Sequence, residues 1–143
     1  MIQHIDVHAA LQQSVPGFYA DLVTRATGRA VREHIERRLA DATVAVIDFT
    51  GVGCLDYSCA DEIVAKLLRA RVRVLLLRGV SDAHQETIEP VLRGHGLAAV
   101  IERPGGTLET LGPSESAAAL VDELVARHLA TRTPGGAVVL TPS

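Results

Sequence analysis

Ser58 stands in the stretch LDYSCADE, with Asp56 and Tyr57 before it and Cys59, Asp61 and Glu62 after it. A hydroxyl in such a setting has three uses: nucleophile, phosphoryl acceptor, or helix cap. Nucleophilic work needs a base that takes the proton, and six histidines are available in the chain. However, GxSxG is absent, and the carboxylates of Asp56 and Asp61 raise the cost of an alkoxide at Ser58. His34 beside Ile35 and His128 beside Leu129 read as amphipathic edge residues. Catalysis therefore ranks behind the other readings. The pattern S-x-x-D over 58–61, followed by Ile63 and Val64, matches a capping box, in which the serine accepts from an orphan amide of the first turn. A cap leaves the acidity of the segment and the large Tyr57 at an exposed turn unexplained.

Other motifs carry less chemistry. A phosphate loop requires GxxxxGK[ST], and the sole lysine, Lys66, follows no glycine run. Gly51-Val52-Gly53 begins a GxGxxG whose third glycine is replaced by Asp56, a carboxylate that would repel a pyrophosphate. Asp48 ends an apolar strand as a receiver-domain aspartate does, yet Glu102, Arg103 and Pro104 stand where such a domain has its lysine. Asp48 is instead expected to cap backbone amides of the turn from Thr50 to Gly53, so Asp48, Gly51 and Gly53 are read as structural turn residues. Cys54 and Cys59 form no CxxC and have no histidine in their segment, so buried free thiols are expected rather than a metal site or a disulfide.

Composition narrows the classes further. The 143 residues suffice to bury a core without disulfides or metal, and 48% apolar with 22% charged residues is ordinary for a globular chain. Unbroken apolar runs such as Val74 to Leu77 are far short of the roughly 18 residues of a membrane span, and the N-terminus does not read as a secretory leader. With a net charge of −3, scattered arginines, and only Phe18, Tyr19, Phe49 and Tyr57 as aromatics, nucleic-acid binding has little support. A cytoplasmic, non-enzymatic chain without a cofactor or metal is expected.

The elements that must position these residues alternate between strand and helix, which indicates an α/β layered fold. Strands are expected at 2–7, 17–24, 43–49, 72–77 and 97–101, with 43–49 at the sheet centre. Helices are expected at 28–40, 59–70 and 114–130, the last capped by Ser114. Another helix follows Ser81 or Asp82, interrupted or restarted at Pro90. The type of the segment TLETL is left open. The terminal AVVL reads as a tail or an added edge strand. Strand–helix–strand connections require some parallel pairing.

The pieces VAVIDFTGVGCLDYSCADEI and VRVLLLRGVSDAHQETIEPVLRGHGL resemble the STAS domains, which include the bacterial anti-sigma factor antagonists, and are closest to a STAS-like family of unknown function. The similarity spans about residues 17–130, with 131–143 as a tail or edge strand. It implies a single-domain STAS-like fold, a mixed β-sheet with helices packed against it. It also implies a regulatory protein-interaction module that docks a histidine-kinase-like ATPase or anti-sigma factor. In the antagonists, a serine or threonine directly after the second aspartate is phosphorylated; that position here is Tyr57, with Ser58 next and Cys59 in place of a usual glycine. Asp56, Tyr57, Ser58, Asp61 and Glu62 are thus the expected partner-binding or phospho-switch residues. The alternative implied by the resemblance is a small-molecule or nucleotide-sensing domain.

Overall fold

The computed structural model describes residues 2–14, 20–70 and 72–141. Four parallel strands come first: β1 (Ile2–Asp6), β2 (Val44–Asp48), β3 (Val74–Arg78) and β4 (Ala99–Glu102). Three antiparallel strands extend the sheet: β5 (Thr107–Leu111), β6 (Ala130–Arg132) and β7 (Val138–Leu140). Their spatial order is β1-β2-β3-β4-β5-β7-β6. The fold is therefore α/β with a mixed sheet, as the alternation of elements predicts, and β2 is second from one edge rather than central.

The helices are α1 (Val7–Ser14), α2 (Arg25–Leu39), α3 (Tyr57–Ala60), α4 (Lys66–Ala70), α5 (Asp82–His95) and α6 (Ser114–Ala126). Between α3 and α4 the chain continues through a π-type turn, Asp61–Ala65, in which the Lys66 N–H reaches the Asp61 carbonyl five residues back. Each of the first three crossovers moves one strand in the same direction. Connections of one hand then place their helices on one face of the sheet. There Val31 and Ile35 of α2, Ile63 and Leu67, and Ile88 and Leu92 of α5 pack on Ile5, Ala45, Ile47, Leu75 and Leu77. Because strand side chains alternate between faces, Val44, Val46, Val74, Leu76 and Val100 point the other way, to Leu120 and Leu124 of α6.

Several expectations are corrected. The helix α1 takes up the end of the expected 2–7 strand: Val7, Ala10 and Leu11 are buried at helical spacing, and the Asp6 Oδ1 caps the Ala9 N–H at 3.1 Å. Of the expected strand 17–24, residues 17–19 lie outside the described residues. The rest forms a single parallel bridge, Leu22 to Leu55, instead of a strand. Helix α2 starts at Arg25 rather than Gly28, because Thr24 is its N-cap, accepting from the Thr27 N–H at 3.2 Å. Pro90 lies inside an unbroken α5, whose Ile88 and Leu92 are fully buried. At α6 the N-cap position belongs to Pro113, not Ser114. The helix ends at Ala126, and His128 has a positive φ of 61°, which turns the chain into β6 where the sequence pattern had continued the helix to 130. AVVL supplies β7, paired on both sides, so β6 is the edge.

Candidate functional site

The turn after β2 is built as the sequence implies. Asp48 Oδ1 accepts from the Thr50 N–H at 2.8 Å. Gly51 has φ of 89°, a conformation that favours glycine. A side chain on Gly53 would meet Asp21, whose Oδ1 accepts from the Cys54 N–H at 2.8 Å. Leu22 and Asp56 complete the join: the Leu22 N–H donates to the Cys54 carbonyl and the Asp56 N–H to the Leu22 carbonyl, both at 2.8 Å.

The same turn is held from α5 by a residue that sequence reasoning passed over. His84, 4% exposed, accepts the Ser81 N–H on Nδ1 at 3.2 Å. The proton is then on Nε2, which donates to the Gly53 carbonyl at 2.7 Å. Ser81 in turn accepts from the His84 N–H at 3.1 Å, a capping box with histidine in the position usual for Glu or Gln. The atypical residue hid the signal.

At the start of α3 the residues divide. Asp56 is the N-cap, although its side chain makes no cap hydrogen bond. Ser58 lies within the first turn and donates Oγ to Asp56 Oδ2 at 3.1 Å. The expected S-x-x-D box is not formed, because the helix begins two residues earlier than its pattern placed it. Tyr57 is 57% exposed. Cys54 is exposed and Cys59 buried, both as free thiols. The Cys59 Sγ donates to the Thr24 carbonyl at 3.0 Å, where Gly28 lets α2 approach closely. Burial pushes the Cys59 thiol pKa up.

Glu62 differs from its neighbours. Its side chain is 0% exposed, so it presents no surface to a partner. The π-type turn lies against α2, and there the carboxylate receives Arg25 Nη1 at 2.6 Å, Arg32 Nε at 3.2 Å and Lys66 Nζ. Burial raises the Glu62 pKa, but the bonds from Lys66, Arg32 and Arg25 outweigh it and hold the carboxyl below its ordinary value. Asp61 behaves alike: burial raises its pKa, and bonds from Arg25 and His95 more than reverse the effect. Arg25 Nη1 reaches Asp61 at 2.8 Å and His95 Nε2 reaches it at 2.9 Å. Of the five residues expected to form one surface, Asp56, Tyr57 and Ser58 do so. Asp61 is largely covered, its side chain 19% exposed, and Glu62 serves the joint between helices.

Only three large apolar side chains are strongly exposed among the described residues: Ile2 at 42%, Val23 at 53% and Tyr57 at 57%. Val23 follows Leu22 and Tyr57 comes two residues after Leu55, so both exposed side chains stem from the segments that the Leu22–Leu55 bridge joins, with Asp56 and Ser58 flanking Tyr57 in the chain. Val23 was missed because it was read as part of a strand; its signal was an apolar residue directly before the cap-forming Thr24. Among the described residues, no group of His, Cys, Asp or Glu is arranged to hold a metal ion, and no helix is long and apolar enough to cross a membrane. Comparisons with family models, with curated proteins and with solved structures find no match.

Proposed function

We propose that the chain is a cytoplasmic, non-enzymatic regulatory module of STAS-like character that docks a protein partner through the turn and first helical residues at 56–61. The observation that carries this reading is Tyr57, a large side chain 57% exposed at the start of α3 between Asp56 and Ser58, where the segment of the likewise exposed Val23 is hydrogen-bonded to the turn. Aromatic side chains surrounded by polar groups make effective interface anchors, and exposed apolar neighbours rimmed by polar groups mark interaction surfaces. The partner that fits the resemblance is a histidine-kinase-like ATPase acting as an anti-sigma factor or sensor. Phosphate on Ser58 or Tyr57 would add close to two negative charges beside Asp56 and Asp61 and oppose docking.

The test is complex formation with the histidine-kinase-like ATPase encoded nearest to this chain, followed by intact-mass measurement after ATP is added. Tyr57→Ala is expected to weaken the complex at least tenfold with an unchanged melting temperature. No complex with the natural chain, or equal binding by Tyr57→Ala, would remove this docking face from the reading. One added phosphate that vanishes in Ser58→Ala would establish the switch, whereas a complex without added mass would establish a constitutive dock.

A further inference from the structure

Two backbone segments meet at His84. The Ser81 amide, at the N-cap of α5, can only donate, and the Gly53 carbonyl, in the turn that leads to α3, can only accept. The imidazole satisfies both only when Nδ1 keeps its lone pair and Nε2 carries the proton, so the fold selects one neutral tautomer. The ring is buried, with Phe49 packed beside it at 5.8 Å between centroids. Little water reaches it to replace a lost partner.

A second proton has no accommodating site on this ring. It must enter at Nδ1, where it turns the acceptor into a donor facing the Ser81 N–H, and that bond breaks. The charge it brings lies away from solvent in the first turn of α5, the positive end of the helix dipole. Charged and titratable side chains of the surrounding elements are Asp82 on α5, Asp48 and Cys54 in the turn, Asp21 on the segment bonded to it, and Asp56 and Tyr57 at α3. Among the described residues none of them pairs with the imidazole. Asp48 Oδ1 accepts from the Thr50 N–H, Asp21 Oδ1 from the Cys54 N–H and Asp56 Oδ2 from the Ser58 hydroxyl.

We propose that His84 is an acid-released latch: neutral, it ties the start of α5 to the turn at 51–56, and on taking a second proton it lets that turn go. The proton comes from solvent and ends on Nδ1. To regain water the imidazolium swings outward, which also takes Nε2 from the Gly53 carbonyl. The consequence is local. The bond from the Gly53 N–H to the Ala20 carbonyl and those between Leu22, Cys54 and Asp56 do not involve the ring, so the turn loosens on its α5 side. The effect on docking rests on the role proposed for residues 56–61, whereas the latch itself is read on the chain alone.

The experiment is an NMR titration of the full chain from about pH 7.5 to about pH 5, within the range in which histidine changes charge. Imidazole nitrogen signals report the tautomer and protonation of His84, with the exposed His4 and His128 as references. At the upper pH His84 is expected as the Nε2–H tautomer. As its imidazolium forms, the amides of Gly53, Cys54, Ser81 and His84 should shift in step with it. Exchange of the Ser81 and His84 amides, corrected for pH, should accelerate about tenfold or more, while amides between β2 and β3 stay in place. His84→Gln puts a residue usual at this capping position, whose side-chain oxygen accepts the Ser81 N–H without titrating; the acid shifts of the turn should vanish in it. An Nδ1–H tautomer, a ring that stays neutral to about pH 5, an imidazolium that leaves the turn unmoved, or the same turn shifts in His84→Gln would each overturn the proposal. Simultaneous loss of the β2–β3 amides would do so too, because the transition would then be global unfolding. Each readout is independent of any partner at Tyr57, so the latch and the docking surface fail separately.

Discussion

Ser58 and Glu62 are four residues apart, yet the fold gives them opposite settings. Ser58 donates to an exposed carboxylate on its own turn, and such bonds contribute little. Ser58→Ala should therefore shift stability by about 0.5 kcal/mol or less, below the loss of about 1 kcal/mol expected from an N-cap. A urea midpoint at constant slope measures this, and a loss above 1 kcal/mol would return the serine to a capping role. Glu62→Gln should be costlier, about 2–3 kcal/mol at pH 7, since charge-assisted bonds from Arg25, Arg32 and Lys66 are weakened together. The pH dependence has a definite sign. Glu62 has its pKa depressed by folding, so its contribution is present above the ordinary value of 4.5 and is lost as pH falls through the lower folded value. The gap between the natural chain and Glu62→Gln should thus narrow in acid, starting below about pH 4.5. A gap that stays constant to pH 2.5 would assign the loss to packing.

Elements with a strong apolar period were legible in the sequence, and those decided by tertiary contacts were not. Strands β2 and β3 are continuous apolar runs because helices cover both on one face and α6 covers part of the other. The bridge of Leu22 to Leu55 and the inward Glu62 depend on contacts between segments more than 30 positions apart, which no local pattern records. The site was legible to the same extent: Asp56, Tyr57 and Ser58 are local, whereas Val23 and His84 acquire their roles only when distant elements meet. Pro90 shows local propensity overruled. It lacks an amide to bond the Glu86 carbonyl, but α5 carries through because its capping box fixes one end while Ile88 and Leu92 anchor the flanking turns. Pro90 itself is exposed, so Pro90→Ala should restore that bond without disturbing the core. A gain of about 1–3 kcal/mol is expected. A higher urea midpoint checks it, and a loss of stability would mean that the proline bend is needed for the packing of α5.

At the scale of the whole molecule the sheet is asymmetric in how firmly its two ends are held. Strands β1 to β4 are tied by successive crossovers and covered by the large core under α1 to α5. The far end is built differently. Strands β6 and β7 have three residues each, with β7 only half-buried, and they rest on a smaller cluster beneath α6. Opening that end exposes little apolar surface, whereas separating β2 from β3 exposes Val44, Val46, Val74, Leu76 and the opposite face at once. The cost of opening follows the apolar area exposed, about 25 cal/mol per Å². Native-state hydrogen exchange should therefore show two classes. Amides bonded between β6 and β7 should exchange by local opening, with a free energy nearly independent of denaturant. Those between β2 and β3 should exchange only with global unfolding and follow its full denaturant slope. Leu124→Ala removes a buried contact of α6 and should accelerate the β6–β7 class more than the central one. Equal free energies and equal slopes for both classes would show instead that the sheet unfolds as one unit, with the α6 layer contributing as much to its cohesion as the opposite core.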